Sequence, residues 1–234
     1  MRWALVLCSL LIGLTTSVRS VQAQSTSPTQ PDYADFMRTG PLGDIPLGAE
    51  SAWATVFDYS NFTCHDCVTF YTKVFPSLKS QYVATGKIRW IVRELVWRME
   101  PLFPGDTSPS MYVFDAAPFM VARCFGSGKY HAAVETFYQR ANEWLKSEPL
   151  PAITAIAAGL GMGQAALVSC LNDRKLQSEI EFEGNRANRF RPANIPMFFF
   201  ADDKKRSVTR LLPQAADNLN LKAWQKELAH RLGN

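Results

Sequence analysis

The chain has 234 residues, of which 47% are hydrophobic, so it is long enough for one large globular domain or for a domain with an insertion. Its formal charge of +4 is small and its charged residues are dispersed, which excludes the strongly basic surface typical of nucleic-acid-binding proteins. The compact basic cluster at Lys204 to Arg206 follows two aspartates and is typical of a solvated turn. We therefore expect no nucleic-acid partner.

The N-terminus has the pattern of a secretory signal peptide. A positive start and an apolar run from Trp3 to Leu14 lead, through polar residues, to Ala23, a small residue suited to signal-peptidase cleavage. The run is well short of the roughly 20 residues that a spanning helix needs, and no later stretch reaches that length. We predict a signal peptide over residues 1–23 and a soluble periplasmic protein. Cys8 would be removed with the signal peptide, so four of the five cysteines remain. An even number of cysteines is typical of proteins that form disulfides in an oxidising compartment.

The segment before the first long strand is expected to contain little structure. Residues 24–40 are rich in Ser, Thr, Pro and Gln, which favours a flexible leader with at most a turn of helix at Asp35 to Thr39. No heptad pattern is present that would form a coiled-coil oligomerisation arm, so we expect a monomer. Leu42 to Gly48 fits a short edge strand, because Pro46 is tolerated only at the edge of a sheet.

The next segment predicts a strand, a helix and a second strand. Ala54 to Tyr59 is a near-continuous apolar run interrupted by Asp58, which is typical of a strand covered on both faces. Apolar residues recur at helical spacing from Val68 to Val83, where Pro76 should kink the helix. Lys87 to Val96 then alternates like a strand. Together these elements predict one βαβ unit with a right-handed crossover.

The pattern from residue 101 to about residue 190 is helical, with no convincing strand. The predicted helical stretches are Phe114 to Cys124, Tyr130 to Leu145, Ala152 to Leu160, Gln164 to Leu171 and Lys175 to Phe190. We interpret this segment as a helical insertion.

The C-terminal segment returns to strand character. Asn194 to Ala201 is a predicted strand that begins at a proline, Asp202 to Arg206 turns the chain, and Ser207 to Leu212 is a second strand. The two strands form a predicted hairpin. A closing amphipathic helix is expected to begin near Pro213.

Two cysteines three positions apart stand at the head of the first predicted long helix. Cys64 and Cys67 at this spacing can form a reversible disulfide within one helical turn, although zinc sites use the same spacing. A four-cysteine zinc site is a poor alternative, because Cys124 and Cys170 lack a near neighbour at ligand spacing. We therefore expect a redox pair, with no metal and no cofactor.

The order of the elements resembles the thioredoxin fold with an inserted helical domain, and within that fold the exported DsbA-like thiol–disulfide oxidoreductases. Four features carry the resemblance: Cys64 and Cys67 after a buried strand, Asp58 six positions before Cys64, the lead-in from Gly43 to Gly48, and Ile195-Pro196 at the late strand. The resemblance covers about residues 41–230. It implies an α/β thioredoxin fold with an inserted all-helical subdomain. Residues 41–100 and 191–234 would form the two parts of the fold, with the insertion at 101–190.

The predicted chemistry depends on Cys64 at the helix N-terminus. Unpaired N–H groups and the helix dipole favour a thiolate there, and in such sites the thiol pKa falls from about 8.5 to about 3.5–7.5. A protonated His65 would stabilise the thiolate further, whereas the Asp66 carboxylate would oppose it. The strongly oxidising members carry a histidine next to the second cysteine, and this chain has Asp66 there. The sequence therefore leaves the redox direction open.

Three further positions take their expected roles from the resemblance. Asp58 matches the family's buried acid and is a candidate acceptor for the proton of Cys67, the alternative being a buried acid without a role in catalysis. The Ile195–Pro196 bond is expected to be cis, to face the cysteine pair, and to place the Ile195 backbone against an extended substrate. The alternative is an ordinary trans proline that begins an edge strand. The segment Arg191 to Asn194 departs from the family's frequent Gly-Thr before the proline.

The other cysteines, histidines and aromatic residues receive weaker assignments. Cys124 and Cys170 are expected to form a structural disulfide between insertion helices, with two free thiols or a second redox pair as alternatives. His131 and His230 are expected to be ordinary residues on helical surfaces. Trp97 and Phe103 could line a peptide groove near the cysteine pair.

The resemblance implies exchange of the Cys64–Cys67 disulfide with thiols of secreted proteins, in the oxidase direction, and a DsbB-type membrane partner for reoxidation. One alternative is an isomerase or reductase of the DsbC, DsbG or ScsC kind, which tend to use an N-terminal oligomerisation segment. Another is a copper-handling module in which Cys64, Cys67 and His65 bind Cu(I) through soft ligands.

Overall fold

The computed structural model describes residues 32–96, 111–146, 148–190, 194–212 and 214–233. The predicted signal peptide, the first part of the leader, the Trp97 and Phe103 groove and residues 191–193 lie outside these ranges. Within the described ranges, no helix is both long and apolar enough to cross a membrane.

A five-stranded mixed sheet forms the centre of the fold. Its strands are β1 (Pro46–Leu47), β2 (Ala54–Ser60), β3 (Arg89–Glu94), β4 (Met197–Asp202) and β5 (Ser207–Leu211), in the spatial order β1-β3-β2-β4-β5. β2 and β3 are parallel, and the other neighbours are antiparallel. Every residue of the central strand β2 is buried, which explains its near-continuous apolar run. The predicted edge strand at Pro46 and the predicted β4–β5 hairpin are both confirmed.

Helices cover both faces of the sheet. They are α1 (Tyr33–Met37), α2 (residues 65–83), α3 (Met111–Cys124), α4 (Tyr130–Gln139), α5 (Ala141–Trp144), α6 (Pro149–Gly159), α7 (Gln164–Leu171), α8 (Arg174–Ala187), α9 (Ala215–Asn218) and α10 (Leu221–Leu232). A 3₁₀ turn, Asn188–Phe190, follows α8. Each predicted stretch between residues 111 and 190 is helical, and the one from Tyr130 to Leu145 is divided into α4 and α5.

Helix α2 carries the cysteine pair and alternates between two kinds of turn. His65–Thr69 and Phe75–Leu78 are α-helical, whereas Phe70–Val74 and Lys79–Val83 are π-helical. Pro76 lies two residues after the first π-helical turn, where the hydrogen bonds already depart from the α-helical pattern. The helix therefore continues past Pro76, although proline has no N–H donor. α2 begins at His65, directly after Cys64, in agreement with the prediction that the cysteine pair stands at the head of the helix.

Two hydrophobic clusters lie on opposite faces of the sheet. The larger cluster packs α2, the insertion helices and α10 against one face, with Trp90 and Trp224 at 0% exposure. The smaller cluster is mainly aromatic and contains Phe57, Tyr59 and Phe199. Alternation along β2 sends Phe57 and Tyr59 to the smaller cluster and leaves Asp58 facing the α2 side.

The predicted turn of helix in the leader is present, two residues earlier than expected, but residues 32–40 also pack on the sheet, which their composition does not indicate. This segment forms α1, and Phe36 is fully buried with its ring centroid 5.0 Å from those of Phe57 and Phe199. Arg93 also donates a hydrogen bond of 3.0 Å to the Phe36 carbonyl. The segment is ordered because Phe36 covers the aromatic face of the sheet, a tertiary contact that composition does not report.

Two other predictions need correction. The closing helix is two helices, α9 and α10, because the Asn220 side chain accepts hydrogen bonds from the N–H groups of Lys222 and Ala223 and starts a new helix. His131 is buried rather than on the surface, at 7% exposure, with Nε2 2.7 Å from the Ile45 carbonyl. Burial lowers the pKa of His131 to about 4, so the ring is neutral at physiological pH. His230 is exposed, as predicted.

Candidate active site

The Cys64–Cys67 disulfide occupies the N-terminus of α2. Cys64 is the N-cap residue, and its Sγ accepts a hydrogen bond of 3.1 Å from the Cys67 backbone N–H. The two Cα atoms are 5.2 Å apart and the sulfurs are bonded. Cys67 is fully buried whereas Cys64 is only half-buried, so the Cys64 sulfur is the one open to attack by an external thiolate.

The turn that presents Cys64 is held by Asn61, a residue that the sequence reasoning missed. The buried Asn61 side chain donates to the Leu95 carbonyl (2.7 Å) and accepts from the Thr63 backbone N–H (2.6 Å). The Cys64 N–H in turn donates to the Asn61 carbonyl. Asn commonly closes turns through such side-chain bonds, so Asn61 immediately after a strand is the signal that could have identified it.

The helical insertion also contacts this turn. The Thr63 hydroxyl donates a hydrogen bond of 2.8 Å to Oδ1 of Asp115, a buried residue of α3. The residue that immediately precedes Cys64 is therefore positioned by a helix that comes 52 residues later. No sequence pattern pointed to this contact.

The Ile195–Pro196 peptide bond is cis and lies beside the disulfide. The Ile195 carbonyl oxygen is 3.5 Å from Cys64 Sγ. Behind it, the buried Asn218 side chain donates a hydrogen bond of 2.9 Å to the Pro196 carbonyl. This is the arrangement expected from the resemblance, with backbone polar groups next to the accessible sulfur.

Asp58 lies on β2 beneath α2 and is fully buried. Its Oδ2 accepts a hydrogen bond of 2.6 Å from the Tyr71 hydroxyl, and its Oδ1 accepts a short one from the Ser60 hydroxyl. Burial raises the pKa of the Asp58 carboxyl to about 7, although the bonds from Ser60 and Tyr71 oppose the rise. Tyr71 lies one helical turn after Cys67 on α2, so the carboxyl is under the same face of the helix as the buried cysteine.

The two residues between the cysteines occupy the first turn of α2. His65 is exposed and Asp66 is half-buried. An acidic side chain in the first turn interacts favourably with the helix dipole, which gives Asp66 a local structural role. The two residues remain the candidates for tuning the Cys64 thiolate.

A second disulfide joins Cys124, the last residue of α3, to Cys170 in α7. Their Cα atoms are 6.1 Å apart, Cys124 is exposed and Cys170 is buried. The bond connects two insertion helices, as expected. Among the described residues, no cluster of three or more His, Cys, Asp or Glu side chains has the arrangement of a metal site.

A family model and several curated proteins match the sequence of this chain. A family model described as Thioredoxin matches residues 42–226. A Rickettsia typhi protein that carries the name protein-disulfide oxidoreductase is 27% identical over 161 residues, or 67% of this chain and 54% of that protein. A Rickettsia felis protein of the same name is 27% identical over 157 residues, 66% of this chain and 50% of that protein. The chain thus spans about half the length of the curated relatives it matches.

Solved structures show the same fold. The Wolbachia pipientis protein alpha-DsbA1 aligns with a TM-score of 0.67 and 23% identity, over 87% of this chain and 96% of that one. A protein-disulfide isomerase from Novosphingobium aromaticivorans aligns with a TM-score of 0.62 and 17% identity, over 82% and 98% of the two chains. The match over residues 42–226 shows that the chain belongs to the thioredoxin family, and its fold is that of the solved DsbA structures.

Proposed function

We propose that this protein is a thiol–disulfide oxidoreductase that exchanges the Cys64–Cys67 disulfide with cysteines of other exported proteins. The observation that carries the proposal is a half-buried Cys64 sulfur at the N-terminus of α2, bonded to a fully buried Cys67. The names of the Rickettsia relatives and the family match support the same reaction class.

Exchange proceeds through a mixed disulfide. A client thiolate attacks Cys64 Sγ, the Cys64–Cys67 bond breaks, and its electron pair passes to the Cys67 sulfur. A second client thiolate then attacks the client sulfur of the mixed disulfide and releases the Cys64 thiolate. The client has then lost two electrons and gained a disulfide, and the enzyme holds two thiols. In the reductase direction, Cys67 attacks the mixed disulfide and releases the reduced client.

Helix α2 supplies the electrostatics of this reaction. The Cys67 N–H bond to Cys64 Sγ and the positive end of the helix dipole both stabilise a thiolate at Cys64. A more stable thiolate favours the reduced enzyme and makes its disulfide a stronger oxidant, at about 30 mV for each 1.4 kcal/mol. His65 and Asp66 then adjust this balance from the first turn.

The surrounding residues have roles that match their positions. Asp58 takes the proton of Cys67, because a carboxyl with a pKa of about 7 is a suitable base near neutral pH. The Ile195 and Pro196 backbone binds the client beside Cys64, in an extended conformation. The Cys124–Cys170 disulfide is structural and takes no part in exchange.

The setting and direction of the reaction are part of the proposal. The signal-peptide pattern over residues 1–23 and the even number of remaining cysteines support a periplasmic enzyme. The direction is oxidative, the clients are unfolded or partly folded exported proteins with free thiols, and a DsbB-type membrane partner restores the disulfide. The protein acts as a monomer.

Cysteine variants test the reaction. Oxidised wild-type protein should oxidise a reduced peptide that contains two cysteines, and Cys64→Ser should abolish this activity. Cys67→Ser should accumulate a mixed disulfide with a peptide disulfide, visible by mass spectrometry, because the resolving thiol is missing. The double variant Cys124→Ser/Cys170→Ser is the matched control and should retain the wild-type rate within about twofold. Retained activity in Cys64→Ser would contradict the proposal.

The Cys64–Cys67 reduction potential, measured against glutathione, tests the direction. A value of about −120 to −180 mV supports the oxidase assignment. A value near about −270 mV would assign the protein to the reductases instead. Sedimentation of a dimer or trimer would favour the isomerase alternative.

A further inference from the structure

We propose that Ser60 and Tyr71 are positioning residues of the exchange reaction, whose hydroxyl groups hold the Asp58 carboxylate ready to accept the proton of Cys67. The inference rests on the proposed function, since it concerns the acid assigned as base to Cys67. It adds two residues that act through Asp58 rather than by contact with the client.

The geometry gives each carboxyl oxygen its own donor. Tyr71 bonds Oδ2 from α2 at 2.6 Å, and Ser60 bonds Oδ1 from the same strand as Asp58. All three side chains are buried, Tyr71 at 2% exposure and the other two at 0%. Because the Asp58 carboxyl is fully buried, these hydroxyls take the place that water has around an exposed carboxylate.

The groups packed around Asp58 supply no positive charge. The titratable groups near Asp58 are Tyr71 from α2 and Tyr138 from α4, and Cys67 lies one helical turn before Tyr71. The uncharged Trp90 indole of β3 also favours the carboxylate. On the neighbouring strands, Val92 of β3 and Phe198 of β4 lie opposite Asp58, and neither side chain is charged. In the described part of the chain, Asp58 forms no salt bridge with Lys, Arg or His. Neutral donors, chief among them the Ser60 and Tyr71 hydroxyls, thus take the place that a counter-cation would otherwise fill.

A hydroxyl donor stabilises a carboxylate more than a neutral carboxylic acid, because hydrogen bonds to charged acceptors are stronger. Removing either donor should therefore make the Asp58 carboxylate harder to form. The Tyr71 hydroxyl stays a donor across the working pH range, because burial and the nearby Asp58 charge raise its pKa well above the ordinary value. Tyr71 is held in place by a stacked contact with Tyr138, with ring centroids 4.1 Å apart.

The step that depends on this arrangement is the resolving reaction. The Cys67 S–H proton passes to an Asp58 oxygen, and the Cys67 thiolate attacks Cys64 in the mixed disulfide. The Cys64–Cys67 bond forms, the client leaves as a thiolate, and Asp58 later loses its proton to solvent. Because Tyr71 lies one turn after Cys67 on α2, the helix that carries the thiol also carries a donor for its base.

The test is the pH profile of client release from the mixed disulfide, measured in single-turnover experiments between about pH 5 and pH 9. Tyr71→Phe and Ser60→Ala should each move the midpoint of the profile upward by about one pH unit, since each removes a bond to a charged acceptor. The matched control is Tyr138→Phe, which keeps the ring stacked on Tyr71 and removes a buried hydroxyl that lies near Ser60 but donates no hydrogen bond to Asp58. It should leave the midpoint unchanged.

A second readout is independent of activity. The Asp58 pKa in the oxidised protein can be followed by NMR of its carboxyl carbon, and it should rise in Tyr71→Phe and Ser60→Ala but not in Tyr138→Phe. Circular dichroism would confirm that each variant is folded. If one variant fails to fold, the other still decides the question.

The inference and the proposed function fail in different ways. The positioning role would be overturned if Tyr71→Phe and Ser60→Ala kept the wild-type midpoint of the pH profile of client release. If Asp58→Asn altered that profile, Asp58 would still be the base. An equal shift in Tyr138→Phe would assign the effect to packing and would also overturn it. Only the activity of Cys64→Ser bears on the exchange reaction itself.

Discussion

Asp58 shows how one buried side chain connects stability to chemistry. A carboxyl group without contact with water is more stable protonated, and burial raises its pKa from 3.8 to about 7. In the unfolded chain the same group ionises near its ordinary value. Between these two values the folded protein holds a proton that the unfolded chain has lost, so folding takes up a proton there.

We predict that wild-type stability falls as the pH rises from about 4 to about 7. The folded state has the higher affinity for the proton, so its advantage is complete below the unfolded pKa and is lost as the pH rises through the folded pKa. A difference of about three pKa units corresponds to a loss on the order of 4 kcal/mol. Asp58→Asn should remove this dependence and be more stable than wild type at pH 8. Urea unfolding of the oxidised protein across this pH range measures the effect.

Glu50→Gln is the control for this experiment, because Glu50 is an exposed carboxyl. It should keep the pH dependence of the wild-type protein. A pH dependence in Asp58→Asn as steep as that of wild type would show that other groups are responsible.

Among individual residues, those marked by a local sequence motif could be predicted from the sequence. Residues whose role depends on contacts far along the chain could not. Cys64, Cys67, Asp58 and Pro196 follow from spacing and from the order of the elements. Tyr71 meets Asp58 across 13 positions and Asp115 meets Thr63 across 52, so no local pattern could join them. The burial of His131 likewise depends on the Ile45 carbonyl, 86 positions away.

At the scale of elements, the C-terminal helices show how a single cap decides a boundary. The apolar spacing after Pro213 is compatible with one continuous helix, but the chain breaks after Asn218 and restarts at Leu221. Asn220 accepts from two of the free N–H groups at the new N-terminus, and Trp224 then reaches the core. The Trp224 indole N–H donates to the Asn218 carbonyl, which holds the break in place.

We predict that Asn220→Ala lowers the free energy of unfolding by about 1 kcal/mol, because it removes the side-chain acceptor at the start of α10. Asn220→Asp is the matched control: it keeps an oxygen acceptor and should stay within about 0.5 kcal/mol of wild type. Denaturant unfolding at constant pH measures both. Equal losses in the two variants would mean that the amide group, not the cap, is what stabilises this position.

Most elements could be predicted because their periodicity follows from the core they face. β2 is a near-continuous apolar run because both of its faces are buried, and the insertion helices show helical spacing because each packs one side inward. The packing of the described part of the leader was not predicted, because one buried residue, Phe36, outweighs a polar composition. Its partners Arg93 and Phe199 are far along the chain, so composition alone gave the wrong answer.

At the scale of the whole molecule, a buried ionic cluster joins the insertion to the sheet. Glu94 of β3 is at 1% exposure and accepts two hydrogen bonds from Arg123 of α3, at 2.5 and 2.9 Å. It also accepts one of 2.6 Å from the Tyr130 hydroxyl of α4. Arg123 donates further bonds to the carbonyls of Leu42 and Gly43. One pair of charges thus connects the sheet, two insertion helices and the segment before β1.

Breaking this pair should cost far more than breaking a surface pair. Arg123→Met leaves the Glu94 charge buried without its counter-ion, and we expect a loss of about 3–5 kcal/mol in the free energy of unfolding. The double variant Arg123→Met/Glu94→Gln has no buried charge at this position and should recover at least about 1 kcal/mol of that loss, because the desolvation cost is removed. Arg140→Met, which breaks the solvent-exposed pair with Glu143, is the control and should leave the free energy of unfolding almost unchanged. A double variant less stable than Arg123→Met would show that the uncompensated Glu94 charge is not the cause of the loss, because the amide oxygen of Gln at position 94 can still accept the hydrogen bond from Tyr130.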